Sequence, residues 1–217
     1  MAYDFLDRLT TPGVEAARVA NGSGGLWENL QGDHSSACFS DREKAFIADR
    51  DSFYLASVSQ TGWPYIQHRG GPPGFLRVLD PETLGFADYR GNRQYLSLGN
   101  IADDDRVALF LMDYPHRRRL KVLAHMTAHD LATALDLARH LTTPGYRGVA
   151  ERAFTLRLEA FDWNCPQHIT PRFTAAEVEA GTAPLRERLA ALEIENERLR
   201  DAMTNTTVAP VQEGNRR

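Results

Sequence analysis

Phe154-Thr155-Leu156-Arg157-Leu158-Glu159-Ala160-Phe161-Asp162-Trp163 sets Phe154, Leu156, Leu158 and Ala160 on one side of an extended chain and Thr155, Arg157 and Glu159 on the other. Side chains in a strand point alternately to opposite faces, so this stretch reads as a strand with one buried and one wetted face. Six more short apolar runs precede it, at 53–59, 65–69, 75–79, 84–88, 106–113 and 119–126. Between them lie Gln60-Thr61-Gly62, Gly70-Gly71-Pro72-Pro73-Gly74, Asp80-Pro81-Glu82 and Asp113-Tyr114-Pro115, which supply the chemistry of tight turns. Seven runs at this spacing predict a mainly β, α+β fold whose antiparallel strands make one barrel.

The flanks have other textures. Residues 1–40 are weakly patterned, are broken by Asn21-Gly22-Ser23-Gly24-Gly25, and read as an arm with Trp27 and Leu30 as anchors. Ser40-Asp41-Arg42-Glu43 has the form of a capping box and predicts a helix over 41–49. Helical periods interrupt the strands at 92–100, opening after Gly91, and at 130–141, where Leu131, Ala134, Leu135, Ala138 and Leu141 share a stripe. The barrel domain spans 41–173. At 174–203, Leu185, Leu192 and Leu199 fall seven apart, with Leu189, Asn196 and Met203 four after each. That rhythm predicts a coiled-coil helix, and an Asn among the a positions favours a parallel two-stranded register; packing of the helix on its own barrel is the alternative. Residues 204–217 are polar and read as a flexible tail.

The chain has 217 residues with 25 Lys+Arg against 29 Asp+Glu, a formal charge of −4, which argues against nucleic acid as a partner. The start, Met1 to Thr10, lacks the basic-then-apolar order of a secretion signal, and no apolar run approaches the length of a membrane span. Two scattered cysteines, Cys38 and Cys165, do not make a disulfide scaffold. A cytoplasmic protein that does not enter a membrane is expected.

The chemistry gathers at Pro64 to Phe75 and at Tyr89-Arg90-Gly91-Asn92-Arg93-Gln94-Tyr95. A strand carrying Tyr65, Gln67, His68 and Arg69 is costly to bury in a core, so it lines something polar. Two arginines around Gly91-Asn92 would let guanidinium forks and N–H groups converge on a dianion, with phosphate the natural guest.

These stretches, followed by Asp104-Asp105-Arg106-Val107-Ala108-Leu109-Phe110-Leu111, resemble the pyridoxamine 5′-phosphate oxidase-like proteins over about residues 41–165. The resemblance implies a split β-barrel of six to seven antiparallel strands with short flanking helices. It also implies FMN held at the interface of a homodimer. Arg93 and Gln94 take the places of the phosphate-binding pair, whose second member is typically Lys, which leaves Arg90 as the neighbour to complete the site. Asn92 and Tyr95 lie beside that pair, and Asp88 and Tyr89 match the strand end before it. Gln67, His68, Arg69 and Gly70 would run along the flavin ring. From the other chain the resemblance brings Lys121, chosen over Arg118, and after the last strand Trp163, Gln167 and Arg172 as a second-subunit wall. Core packing of Trp163 is the alternative.

A flavin would also explain the lack of an obvious acid–base pair, because the cofactor carries the redox chemistry. The arginine and histidine pattern of a true pyridoxamine phosphate oxidase is not found at the C-terminal end. The implied function is therefore an FMN-dependent oxidoreductase acting by hydride or electron transfer on an unidentified small molecule, with NADPH or NADH as a possible donor. The alternative is a non-catalytic flavin or haem carrier or sensor. A zinc site from His34, Cys38, Cys165 and His168 lacks the usual paired-cysteine spacing, Cys165 lacks a fixed activating partner, and no metal is assigned. Arg117-Arg118-Arg119-Leu120-Lys121 reads as a solvated hairpin turn.

Overall fold

β7 (Ala150–Trp163) is an interior strand of the sheet, pairing with β6 (Arg118–His129) on one side and β4 (Thr83–Tyr89) on the other. Phe154, Leu156, Leu158 and Ala160 are buried along it while Arg157 is exposed, as the alternation of its side chains requires. The computed structural model describes residues 3–26, 38–163 and 166–207. The remaining strands are β1 (Ser52–Val58), β2 (Pro64–Gly70), β3 (Arg77–Asp80) and β5 (Arg106–Asp113). Their order is β2-β1-β5-β6-β7-β4-β3, every pairing is antiparallel, and β2 and β3 end the sheet unpaired to each other. This is an α+β split barrel of seven strands.

The core packs aromatic rings from both ends of that order. Phe53 of β1 lies 5.6 Å from Phe75 and 5.3 Å from Phe86 of β4, and Phe86 lies 5.3 Å from Phe154 of β7. Edge-on and offset contacts of this kind add to what area burial alone provides. Phe75 itself sits in the turn before β3, so the strand begins at 77 rather than 75: Gly74 takes a left-handed φ of 77° and the Phe75 N–H donates to the Pro72 carbonyl at 2.9 Å.

Helix α3 (Asp41–Ala48) starts at the anticipated capping box, with the Ser40 N–H donating to Glu43 at 3.1 Å. The other Glu43 oxygen accepts the Trp163 indole N–H at 2.6 Å, tying the helix to the end of β7. Helix α4 (Leu96–Ile101) is shorter and later than the expected 92–100. Asn92 explains the delay: its side-chain oxygen takes the Gln94 N–H at 3.2 Å, a local bond that competes with the helical ladder. Asp130 does the same further on, taking the Ala132 N–H at 2.8 Å, so α5 runs only Leu135–Leu141 and not 130–141.

The N-terminal stretch, read as a weakly patterned arm, contains two helices. They are α1 (Tyr3–Leu9) and α2 (Pro12–Ala20), the second capped by Thr11 with proline in its first turn. Phe5 is buried and Arg8 pairs with Glu159 at 2.7 Å, so α1 lies on the sheet. The anchors Trp27 and Leu30, and the ligand candidates His34 and Cys165, lie outside the described residues. The basic run is the β5–β6 hairpin, where Arg118 donates to the buried Asp113 at 2.7 Å and 3.0 Å. There the cost of burying Asp113 is outweighed by bonds from Arg118 and His116, and its carboxyl stays below the usual carboxylate range.

Residues 172–217 form a second unit, distinct from 1–171. Its helix α6 (Ala175–Thr207) has 33 residues with Pro184 inside, and its side of the expected tail continues helical to Thr207. No helix of the described residues is long and apolar enough to cross a membrane.

Phe86→Ala should lower the stability of the barrel by about 3–5 kcal/mol, because the vacated space is walled by three other rings that cannot all collapse into it. Thermal or urea unfolding followed by tryptophan fluorescence measures this.

Candidate functional site

Asp88, at the end of β4, is almost fully buried, and two guanidinium groups meet it there. Arg69 of β2 donates to one carboxylate oxygen at 2.5 Å and Arg152 of β7 donates to the other at 2.6 Å. Asp88 and Arg152 are direct cross-strand neighbours, as the β4–β7 register dictates. Arg69 comes from the far end of the strand order, so the ion pair spans the opening of the split barrel.

Around this triad lies a cleft of about 290 Å³. Its floor is apolar, from Phe75 and Phe86, and its walls are polar, from Tyr65, Gln67 and Arg69 on one face of β2 and from Asp88 and Tyr89 on β4, while the His68 ring lies against Tyr54 on the other face of β2. Gly71, just beyond β2, must be glycine because a Cβ there would come within 2.6 Å of the Phe75 ring. The rim is the loop at 91–95, where Arg93 and Tyr95 both take left-handed backbone angles, φ 61° and 53°.

Charge in the cleft is unevenly spent. Glu151 receives Arg90 at 2.8 Å and the Tyr95 hydroxyl at 3.2 Å. Those bonds, Arg90 first and against the opposing effect of burial, hold the Glu151 carboxyl below the usual carboxylate range. Both carboxylates are therefore neutralised from within the chain. Arg93 makes no hydrogen bond or ion pair among the described residues, and the Arg69 Nε is buried without a partner. The cleft presents three lining guanidiniums, Arg69, Arg93 and Arg152, against two carboxylates, and so favours an anion.

Of the residues singled out from sequence, the structure brings Gln67, His68, Arg69, Gly70, Asp88, Tyr89, Asn92, Arg93, Gln94 and Tyr95 together around this cleft. It does not bring Arg90, whose guanidinium is turned to Glu151 rather than into the space beside Arg93. Lys121, expected to serve the site of the other chain, is bound within its own chain to Asp162 at 2.8 Å with its ammonium 4.5 Å from the Phe5 ring. Trp163 is packed within its own chain: Phe46 meets its ring edge-on at 4.7 Å, Arg42 covers it at 4.4 Å, and Glu43 holds its N–H. Gln167 is exposed in the turn after β7 and lines no part of the cleft, and Arg172 belongs to the second unit. Sequence reasoning missed Arg152, Glu151 and the aromatic floor. The only trace of Arg152 and Glu151 in the sequence is a pair of charges at the start of the last strand, and their value appears once the register sets Arg152 against Asp88.

Residues 39–153 match the protein family described as pyridoxamine 5′-phosphate oxidase. No curated relative matches the chain. Among solved structures it is similar to a putative pyridoxamine 5′-phosphate oxidase from Lactobacillus delbrueckii, with 21% identity, 61% of this chain and 97% of the other covered, and a TM-score of 0.46. It is similar also to an FMN-binding protein from Syntrophomonas wolfei, with 12% identity, coverages of 68% and 97% and a TM-score of 0.46. A third is HutZ, the haem storage protein from Vibrio cholerae, with 14% identity, coverages of 56% and 91% and a TM-score of 0.38.

Asp88→Ala leaves two nearly buried guanidiniums facing each other without a counter-charge, and should cost about 3–5 kcal/mol in urea unfolding. Replacing Arg106, whose partner Asp104 lies at the surface, should change the same midpoint by less than about 1 kcal/mol.

Proposed function

This chain belongs to the pyridoxamine 5′-phosphate oxidase family, and from that premise we propose that its cleft binds FMN and that the protein is a flavin-dependent oxidoreductase acting on a small molecule. The observation that carries the reading is Arg93. Its guanidinium stands without a partner among the described residues, on the rim of a cleft whose own carboxylates are already paired. A phosphate is the group whose geometry and charge match such a fork.

The residues present fit the rest of the cofactor. The buried Nε of Arg69 has a donor to give, and Gln67 lies along the same strand face with the hydroxyl of Tyr65 bonded to its amide. Asn92 and Gln94 add amides beside Arg93 at the phosphate end. When bound, FMN supplies the hydride or electron transfer, which is why the cleft needs no catalytic dyad of its own. The chain's contribution is to fix the ring by hydrogen bonds from β2, to neutralise the phosphate, and to keep water from the apolar floor at Phe75 and Phe86. A cleft of about 290 Å³ sits at the lower end of the range for ligand sites, so one chain covers only part of such a cofactor. A second copy of the chain supplies the remaining wall in this reading, and the substrate and the donor, NADPH or NADH, approach from there.

Arg93→Ala should weaken FMN binding about ten- to hundred-fold, the worth of one charge-assisted contact of about 1.5–3 kcal/mol, as measured by flavin fluorescence quenching. Arg118→Ala, which removes a guanidinium committed to Asp113, should leave the affinity within about twofold of the parent, because it touches nothing in the cleft. Protein that purifies colourless and remains so after incubation with FMN and desalting overturns the reading. Reoxidation of the NADPH-reduced flavin by an added acceptor, faster than for free flavin, separates an oxidoreductase from a carrier.

A further inference from the structure

We propose that α6 is one strand of a parallel, in-register, two-stranded coiled coil made with a second copy of this chain. The inference rests on the second unit alone and is independent of the flavin reading. Within that unit Leu185, Leu189, Leu192 and Leu199 are exposed, with Leu185 at 71% and Leu199 at 57%, so an apolar seam interrupted by Asn196 has no cover inside the unit. With Leu185, Leu192 and Leu199 at d, the a positions are Leu189, Asn196 and Met203. The seam starts where the helix allows it. Pro184 has no N–H to give to the preceding turn, which weakens α6 just before the first d residue.

The occupant follows from the flanking charges. In a parallel pair a g residue meets the e residue of the next heptad on the other helix. Here that sets Arg188 against the partner's Glu193 and Glu195 against the partner's Arg200, opposite in sign each time. An antiparallel pair over the same heptads brings e to e and g to g. It sets Glu193 against the partner's Glu193, Glu195 against the partner's Glu195 and Arg186 against the partner's Arg200, alike in sign each time. Arg188, Glu193, Glu195 and Arg200 form no ion pair among the described residues, so they are available for contacts between helices. Asn196 completes the argument. In the parallel register its amide lies opposite the amide of the partner's Asn196 and the two pair, whereas the antiparallel register places it against the partner's Leu192 and strands it.

The test uses the full chain carrying Cys38→Ser and Cys165→Ser, with a single cysteine added. Under mild oxidation Asn196→Cys should form a disulfide-linked dimer at least about tenfold faster than Glu187→Cys at the outward f position, since only the former holds two Cα atoms within bonding distance. Glu193→Arg with Glu195→Arg should abolish that difference at low salt, and adding Arg188→Glu with Arg200→Glu should restore it. Equal rates at 196 and 187, or no dimer from either, overturn the proposal. So does faster cross-linking of Asn196→Cys to chains carrying Leu192→Cys than to itself. Flavin content read on the same samples keeps this outcome separate from that of the cleft.

Discussion

Asp88 is the point on which the architecture of the barrel turns. A sheet ordered β2-β1-β5-β6-β7-β4-β3 leaves β2 at one edge and β4 near the other, with no backbone ladder to join them. The ion triad of Arg69, Asp88 and Arg152 supplies that join with side chains, and the Phe53, Phe75 and Phe86 rings fill the interior behind it. A buried carboxylate is tolerated only when its charge is met, and two guanidiniums meet this one from different strands. The same geometry makes the cleft, since its two principal walls are the strands so joined.

From that arrangement follows a division among the cations. Arg69 and Arg152 are committed to Asp88, Arg90 to Glu151, and Arg118 to Asp113. Arg152 also lies over the Tyr95 ring at 4.9 Å, so it steadies the rim as well as the floor. A site that neutralises its own acids internally keeps one guanidinium in reserve for an incoming anion. In the proposed reading Arg93 meets the phosphate without an excess of positive charge, in keeping with a chain of net charge −4.

Much of this was legible beforehand, for physical reasons that can be named. Period-two alternation exposed β7, and Ser40 with Glu43 announced α3, because both signals are local. The polar side chains of β2 pointed to a lined cleft because burying them without purpose is costly. What escaped was either a competing local bond or a distant pairing. Asn92 and Asp130 capture backbone N–H groups that a helical period assigns to helices. Thr11-Pro12 is a helix-start signal in plain view, yet the helix it opens is short and buries no residue. Arg152 became a site residue only through a cross-strand register with Asp88, which no spacing within the sequence encodes.

The left-handed angles at Arg93 and Tyr95 carry a consequence for how this surface can change over time. An L-residue with a side chain pays about 1–2 kcal/mol to sit there, a tax that glycine escapes. Glycine at position 93 would relieve that strain and discard the guanidinium with it, so the rim carries its unpaired cation at a conformational cost to the fold.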